Sequence, residues 1–181
     1  MKIQKRIFIR AAVALVAFIT VTLLFIVRSN LVFADKEIKG NYSEQLPHEE
    51  VGVSIGDFKI TANVTLDVFE SIPGLVELNK EGLPDNTFYV YDGEAFICEF
   101  DEDTKVLKAI QTTYGILENM PAKITKEFLR ERFGKEYAEG ELAGKYSGLE
   151  YRRNKGKGST VFIFKDGIYH SVSVRFTDWS I

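Results

Sequence analysis

Thr160-Val161-Phe162-Ile163-Phe164-Lys165-Asp166-Gly167-Ile168-Tyr169-His170-Ser171-Val172-Ser173-Val174-Arg175-Phe176 reads as two strands folded about one tight turn. Asp-Gly suits a two-residue turn in which both residues take positive φ, and the β-branched and aromatic runs on either side suit a pleated, half-buried surface. A second Asp-Gly, Asp92-Gly93, separates Phe88-Tyr89-Val90-Tyr91 from Ala95-Phe96-Ile97-Cys98-Glu99-Phe100. Each hairpin has a third strand-like run beside it, Val106 to Thr112 in the first case and Gly148 to Tyr151 in the second.

Upstream of each set lies a helix signal. Thr65-Leu66-Asp67-Val68-Phe69 and Thr125-Lys126-Glu127-Phe128-Leu129 stand sixty residues apart. In both, a threonine is placed to cap and a carboxylate falls in the first turn, where the helix end is positive. Pro73-Gly74 stops the first helix and Gly134 the second. Short helical or irregular segments are expected around Leu75 to Lys80 and around Lys135 to Leu142. Phe88 to Tyr91 and Gly148 to Tyr151 share the sixty-residue offset. The expectation is therefore an α+β fold built from two tandem repeats, each a helix followed by a three-stranded antiparallel meander.

The second copy, from Ile124-Thr125-Lys126-Glu127-Phe128-Leu129-Arg130-Glu131-Arg132-Phe133-Gly134 to Val161-Phe162-Ile163-Phe164-Lys165-Asp166-Gly167, resembles the module of the β-lactamase-inhibitor-protein-like (BLIP-like) family. It is also similar to the small lipoprotein of the outer-membrane barrel-assembly machinery. The resemblance implies helices laid on an antiparallel sheet whose tandem copies form a concave surface for another protein. The first copy departs from the pattern, with Ile72-Pro73-Gly74 at the helix stop. A second resemblance is to the PepSY-type module, through Phe100-Asp101-Glu102-Asp103-Thr104-Lys105-Val106-Leu107.

The address is read from the first residues. Ala11 to Val27 is a run of 17 uncharged residues, at the short end of what crosses a hydrocarbon core of roughly 30 Å. Lys2, Lys5, Arg6 and Arg10 precede it, which puts the N-terminus in the cytoplasm and the rest outside. The expected partition is a basic stub and single-pass membrane anchor over 1–34, a linker over 35–56, an acidic repeat over 57–118 and a basic repeat over 119–181. The alternative is a signal peptide cleaved after Ala34, which releases a secreted domain. The only cysteine is Cys98, so neither lipoprotein processing nor an internal disulfide is available.

Charge divides the exported part. Residues 35–120 hold 18 acidic and 6 basic residues, and residues 121–181 hold 12 basic and 8 acidic. Compartment and net charge exclude nucleic acid as a partner. His48 reads as a solvated linker histidine, His170 as a strand histidine and Cys98 as a small buried hydrophobe. Asp101-Glu102-Asp103 reads as a solvated turn, since no glycine follows to shape a calcium loop. His170 could pair with a serine such as Ser171 only by bending the strand, no G-x-S-x-G is present, and no cofactor or metal is expected.

These readings lead to a non-catalytic, membrane-tethered module that binds another envelope or secreted protein at a bacterial cell envelope. An immunity-type or inhibitor protein is one alternative, and an envelope hydrolase with an unidentified carboxylate pair is another. Partner contact is expected from the strand aromatics Tyr89, Tyr91, Tyr151, Tyr169 and Trp179, since aromatics dominate hot spots, although each also suits a core. Arg152, Arg153, Lys155 and Lys157 are expected to form an exposed basic hairpin that steers association and leaves stability almost untouched.

Overall fold

The computed structural model describes residues 41–78, 87–112, 116–141, 145–153 and 158–177. Three short helices and ten strands follow in the order α1 (Pro47–Val51), β1 (Ser54–Ile55), β2 (Phe58–Lys59), α2 (Leu66–Glu70), β3 (Val76–Leu78), β4 (Thr87–Tyr91), β5 (Glu94–Phe100), β6 (Leu107–Thr112), α3 (Lys126–Phe133), β7 (Ala138–Glu141), β8 (Tyr146–Arg152), β9 (Ser159–Lys165) and β10 (Ile168–Arg175). β1 and β2 pair as a small hairpin. The other eight strands form one antiparallel sheet in the order β3-β4-β5-β6-β10-β9-β8-β7.

The turns form where their residues dictate. Asp92 and Gly93 take φ of 48° and 81°, and Asp166 and Gly167 take 51° and 78°, the paired positive values that let the flanking strands twist together. Thr125 caps α3 by accepting a hydrogen bond from the Phe128 amide at 3.1 Å. Thr65 makes no such bond before α2; its hydroxyl turns to the Asp67 carboxylate instead.

One face of the sheet is covered. Tyr89, Phe96, Cys98, Ile110, Val172, Val174, Phe162, Phe164, Leu149 and Tyr151 point from successive strands into a single core. Phe69 of α2, Leu129 of α3 and the apolar residues of 46–64 close over them. Phe69 is fully buried and meets Tyr89 and Phe100 edge-on at 5.0 and 5.6 Å.

The expected fold class is corrected. Strand accounts for 48% of the described residues and helix for 15%, and both halves enter one eight-stranded sheet rather than a succession of helix and three-stranded meander repeats. Two segments expected to be helical or irregular contain the strands β3 and β7. Val76-Glu77-Leu78 alternates over too few residues for periodicity to separate strand from helix, and Gly140 weakens any helix in the other. The sheet is continuous because β6 and β10 pair along Val172↔Thr112 to Arg175↔Ala109.

Residues 41–56 are likewise part of the folded unit and not a linker, since Leu46, His48, Val51, Val53 and Ile55 are all buried. The expected anchor over 11–27 and the cleavage position at Ala34 lie outside the described residues. Among the described residues no helix is long and apolar enough to cross a membrane.

Candidate functional site

The expected contact aromatics divide by position. Tyr89 and Tyr151 are core residues, with exposures of 1% and 0%, and so offer no surface to a partner. The Tyr89 hydroxyl donates to Glu70 Oε1 at 3.1 Å, and burial pushes both phenols well above their ordinary range. Tyr169 is half-buried against the Phe164 ring, and burial raises its phenol too. Half-buried Tyr91 packs beside Gly56 and Gly74. Trp179, Lys155 and Lys157 lie outside the described residues.

The two described arginines of the basic hairpin are engaged. Arg152 binds Glu150 at 2.7 Å and stacks its guanidinium 5.0 Å from the Tyr137 ring. Glu150 sits at the centre of strand β8 with only 4% of its side chain exposed, and burial raises its carboxyl against the opposing pull of Arg152. Arg153 pairs with Glu49 of α1. Neither is a free steering charge. From the sequence alone the pairing was hidden, because Glu49 lies about a hundred residues from Arg153.

The face turned away from the helices is crossed by one residue from each strand of the sheet: Leu78, Phe88, Ile97, Gln111, Ser173, Val161, Glu150 and Ala138. The row is apolar at one end, polar in the middle and mixed at the other. Ile163 and Ser171, in the neighbouring row, are fully buried, and Phe88, Ile97, Gln111 and Val161 are at most 8% exposed. Among the described residues, Gln111 Nε2 and Ser171 Oγ have no hydrogen-bond partner. His170, at the register shift in β10, is half-buried beside the Tyr146 ring, and burial lowers its pKa with help from Lys165. An ion-pair cluster crosses the same face, with Arg175 on Glu99 at 2.6 Å and Lys108 on Glu99 at 3.6 Å. The exposed binding face expected from the sequence is thus closed at its middle.

Open surface lies at the sheet's edge. Among the described residues, β7 has a strand neighbour on one side only, β8. It is held to α3 by a carboxylate–cation network. Arg130 reaches Glu136 at 2.7 Å and Glu139 at 2.7 Å, and Lys126 reaches Glu139 at 2.8 Å. These hydrogen bonds hold both glutamates below their ordinary pKa. A groove of about 550 Å³ lies where β7, the start of β8, the β9–β10 turn and the first turn of α3 meet, lined by Lys126, Glu139, Glu141, Lys145, Tyr146 and Gly167 among others. Gly140, in the middle of β7, lines it without a side chain. The opposite edge, β3, is three residues long and presents Val76 at 57% exposure.

No family model matches the chain, and no curated protein matches it. Among solved structures, the chain is similar to a DUF4309 family protein (YjgB) of Bacillus subtilis at 11% identity, over 55% of this chain and 68% of that one, with a TM-score of 0.39. A likeness of that extent carries no argument about fold or activity.

Proposed function

We propose that this chain is a membrane-tethered, extracytoplasmic and non-catalytic module that binds another envelope or secreted protein, and that the partner docks along β7. The observation that carries the reading is the open β7 edge with its adjoining groove. An edge strand offers a row of backbone donors and acceptors to an incoming strand, and an adjacent pocket selects the side chains that come with it. The occupant is an extended segment of the partner, added as a ninth strand. The α3 network fixes β7 before the partner arrives, so little ordering cost remains at binding.

Glu141 makes no ion pair among the described residues, so a cationic side chain on the incoming segment complements it. Pairing of β7 with β7 of a second copy brings Glu139 and Glu141 of both chains together and is disfavoured by like-charge contact. The tether rests on the uncharged run Ala11 to Val27 and the basic residues before it.

A photo-crosslinking residue at position 145 of the full chain, expressed in its own cells, tests the docking. Capture of a distinct protein is expected there, with none at position 76 on the β3 edge and loss of capture on Glu141→Lys. Capture that ignores position and survives Glu141→Lys, or that yields only dimers of the chain, refutes the β7 edge. Protease added to intact cells tests the address, and protection of the domain refutes it.

A further inference from the structure

Residues 43–50, where the described chain enters the domain, are held to the sheet by a small set of contacts around one buried histidine. His48 is 7% exposed. Its Nδ1 lies 2.7 Å from Thr160 Oγ1 on β9, and its ring meets Phe176 edge-on at 5.4 Å. Leu46 is buried beside it, 3.3 Å from where a side chain on Gly158 would begin. The Ser43 amide donates to the Arg152 carbonyl at 2.9 Å. Two ion pairs on α1 complete the set, Glu49 with Arg153 and Glu50 with Arg132 of α3 at 3.2 Å.

The chain beyond α1 is secured independently. Apart from the Gly52 amide, which donates back to the His48 carbonyl at 3.1 Å, its bonds run elsewhere: the Glu118 amide donates to the Gly52 carbonyl at 3.2 Å, the Ser54 amide to the Ile116 carbonyl at 2.9 Å, and the Ile60 amide to the Val53 carbonyl at 2.8 Å. The 43–50 segment can therefore leave without pulling Val53 and Ile55 out of the core.

We propose that residues 43–50 are an acid-released latch, in which protonation of His48 frees the segment from the sheet while the sheet stays folded. A buried imidazolium here meets a hydroxyl from β9 and an aromatic edge from the end of β10, neither of which offsets its charge. From just beyond β8 it faces Arg153, a like charge. From its own helix it faces Glu49, already committed to Arg153, while Glu50 is committed to Arg132 of α3. Glu118 approaches Gly52 at the far end of α1.

Burial is the main reason the docked His48 pKa is lowered to about 4, with Arg153 lowering it further and Glu49 opposing. The released histidine takes up its proton nearer the ordinary value of 6.5. Docking is thus at full strength above about pH 6.5 and weakens as pH falls toward 4, because the released state binds the extra proton. At pH 4.5 the ratio of released to docked segment rises on the order of a hundredfold over its value at pH 7. Release of eight residues adds roughly 27 Å of extended chain between the domain and whatever precedes it. The device is independent of docking at β7.

Amide hydrogen exchange on the full chain, compared at pH 7.0 and 4.5 after correction for intrinsic rates, tests the latch. In the wild type, the Ser43, Glu49 and Glu50 amides are expected to lose protection on the order of a hundredfold, while β5, β6 and β10 keep theirs. In His48→Gln, which retains a hydrogen-bonding group without the titration, the same amides should change less than about threefold. An equal pH response in both proteins, or loss of protection across the whole sheet, overturns the proposal. Nitrogen NMR of the His48 ring in the wild type supplies a measurement that needs no variant. The ring of the docked segment must titrate below the ordinary 6.5, and a ring that titrates at the ordinary value while the Ser43, Glu49 and Glu50 amides stay protected overturns the latch.

Discussion

Replacing Arg152 with methionine strips the buried Glu150 carboxylate of its cation, and the structure sets how much that should cost. Glu150 has 4% of its side chain exposed and Arg152 has 28%, so the pair is shielded from water chiefly on the carboxylate side. Breaking a buried pair by removing one partner typically costs 3–5 kcal/mol. The partial exposure of Arg152 places the expected loss near the bottom of that range, at about 3 kcal/mol. Methionine keeps much of the apolar stem that covers Tyr137, so the loss reports charge more than packing.

The pH dependence has a definite sign. Burial already raises the Glu150 pKa in the folded state, and removing Arg152 removes the influence that opposes this rise. The folded variant then holds a proton that the unfolded chain has released. Its stability falls as pH rises through the folded pKa, and the deficit shrinks on acidification toward the unfolded carboxylate range. Urea unfolding followed by circular dichroism, at pH 7.5 and 5.5, measures this for wild type, Arg152→Met, Glu150→Gln and the double variant. His48 is common to all four and cancels in the differences. The double variant should recover at least half of the loss and abolish its pH dependence. A loss under about 1 kcal/mol, equal at both pH values, would place the pair with ordinary exposed ion pairs and refute the reasoning.

Phe69→Ala should cost about 3–5 kcal/mol in the same assay, because the ring is fully buried between Tyr89 and Phe100; a loss under about 1 kcal/mol would mean that α2 does not close the core. Thr125→Ala should cost about 1 kcal/mol by removing the α3 cap, while Thr65→Ala, where no cap bond exists, should cost less. Equal losses at the two threonines would contradict the capping assignment. Cys98 should resist thiol reagents in the native protein and react fully in denaturant, since burial both blocks access and pushes its thiol well above the ordinary value. Rapid native labelling would show that β5 is open.

Local chemistry was legible wherever a few neighbouring residues decide it. The Asp-Gly hairpins, the Thr125 cap and the burial of Cys98 all follow from residues within a turn or a strand of one another. What depends on distant partners was not legible. His48 stands in a polar stretch beside two glutamates, and only the meeting with Thr160, 112 residues away, makes it a core residue. Arg153 looked like a solvent-facing charge because its partner, Glu49, lies about a hundred residues away, and Arg152 did so because the burial of Glu150 appears only once the sheet is assembled. β3 and β7 were missed for a different reason. Three or four residues carry too little periodicity to identify a strand, and both depend on pairing with a longer neighbour. The β7 edge had no sequence signal, since being last in a sheet is a property of topology.

The pairing of β6 with β10 fixes an order of events for a chain made from its N-terminus. β6 ends at Thr112 and pairs with β10 only from Val172 onward, so β3 to β6 must wait for some sixty more residues with one flank bare. A pairing this distant is paid for in loop-closure entropy before any contact returns it, which slows folding. In that interval Ile110 and its neighbours present an unfilled strand edge to every other nascent copy. Anything that delays the last ten residues of the described chain therefore endangers its first half more than its second.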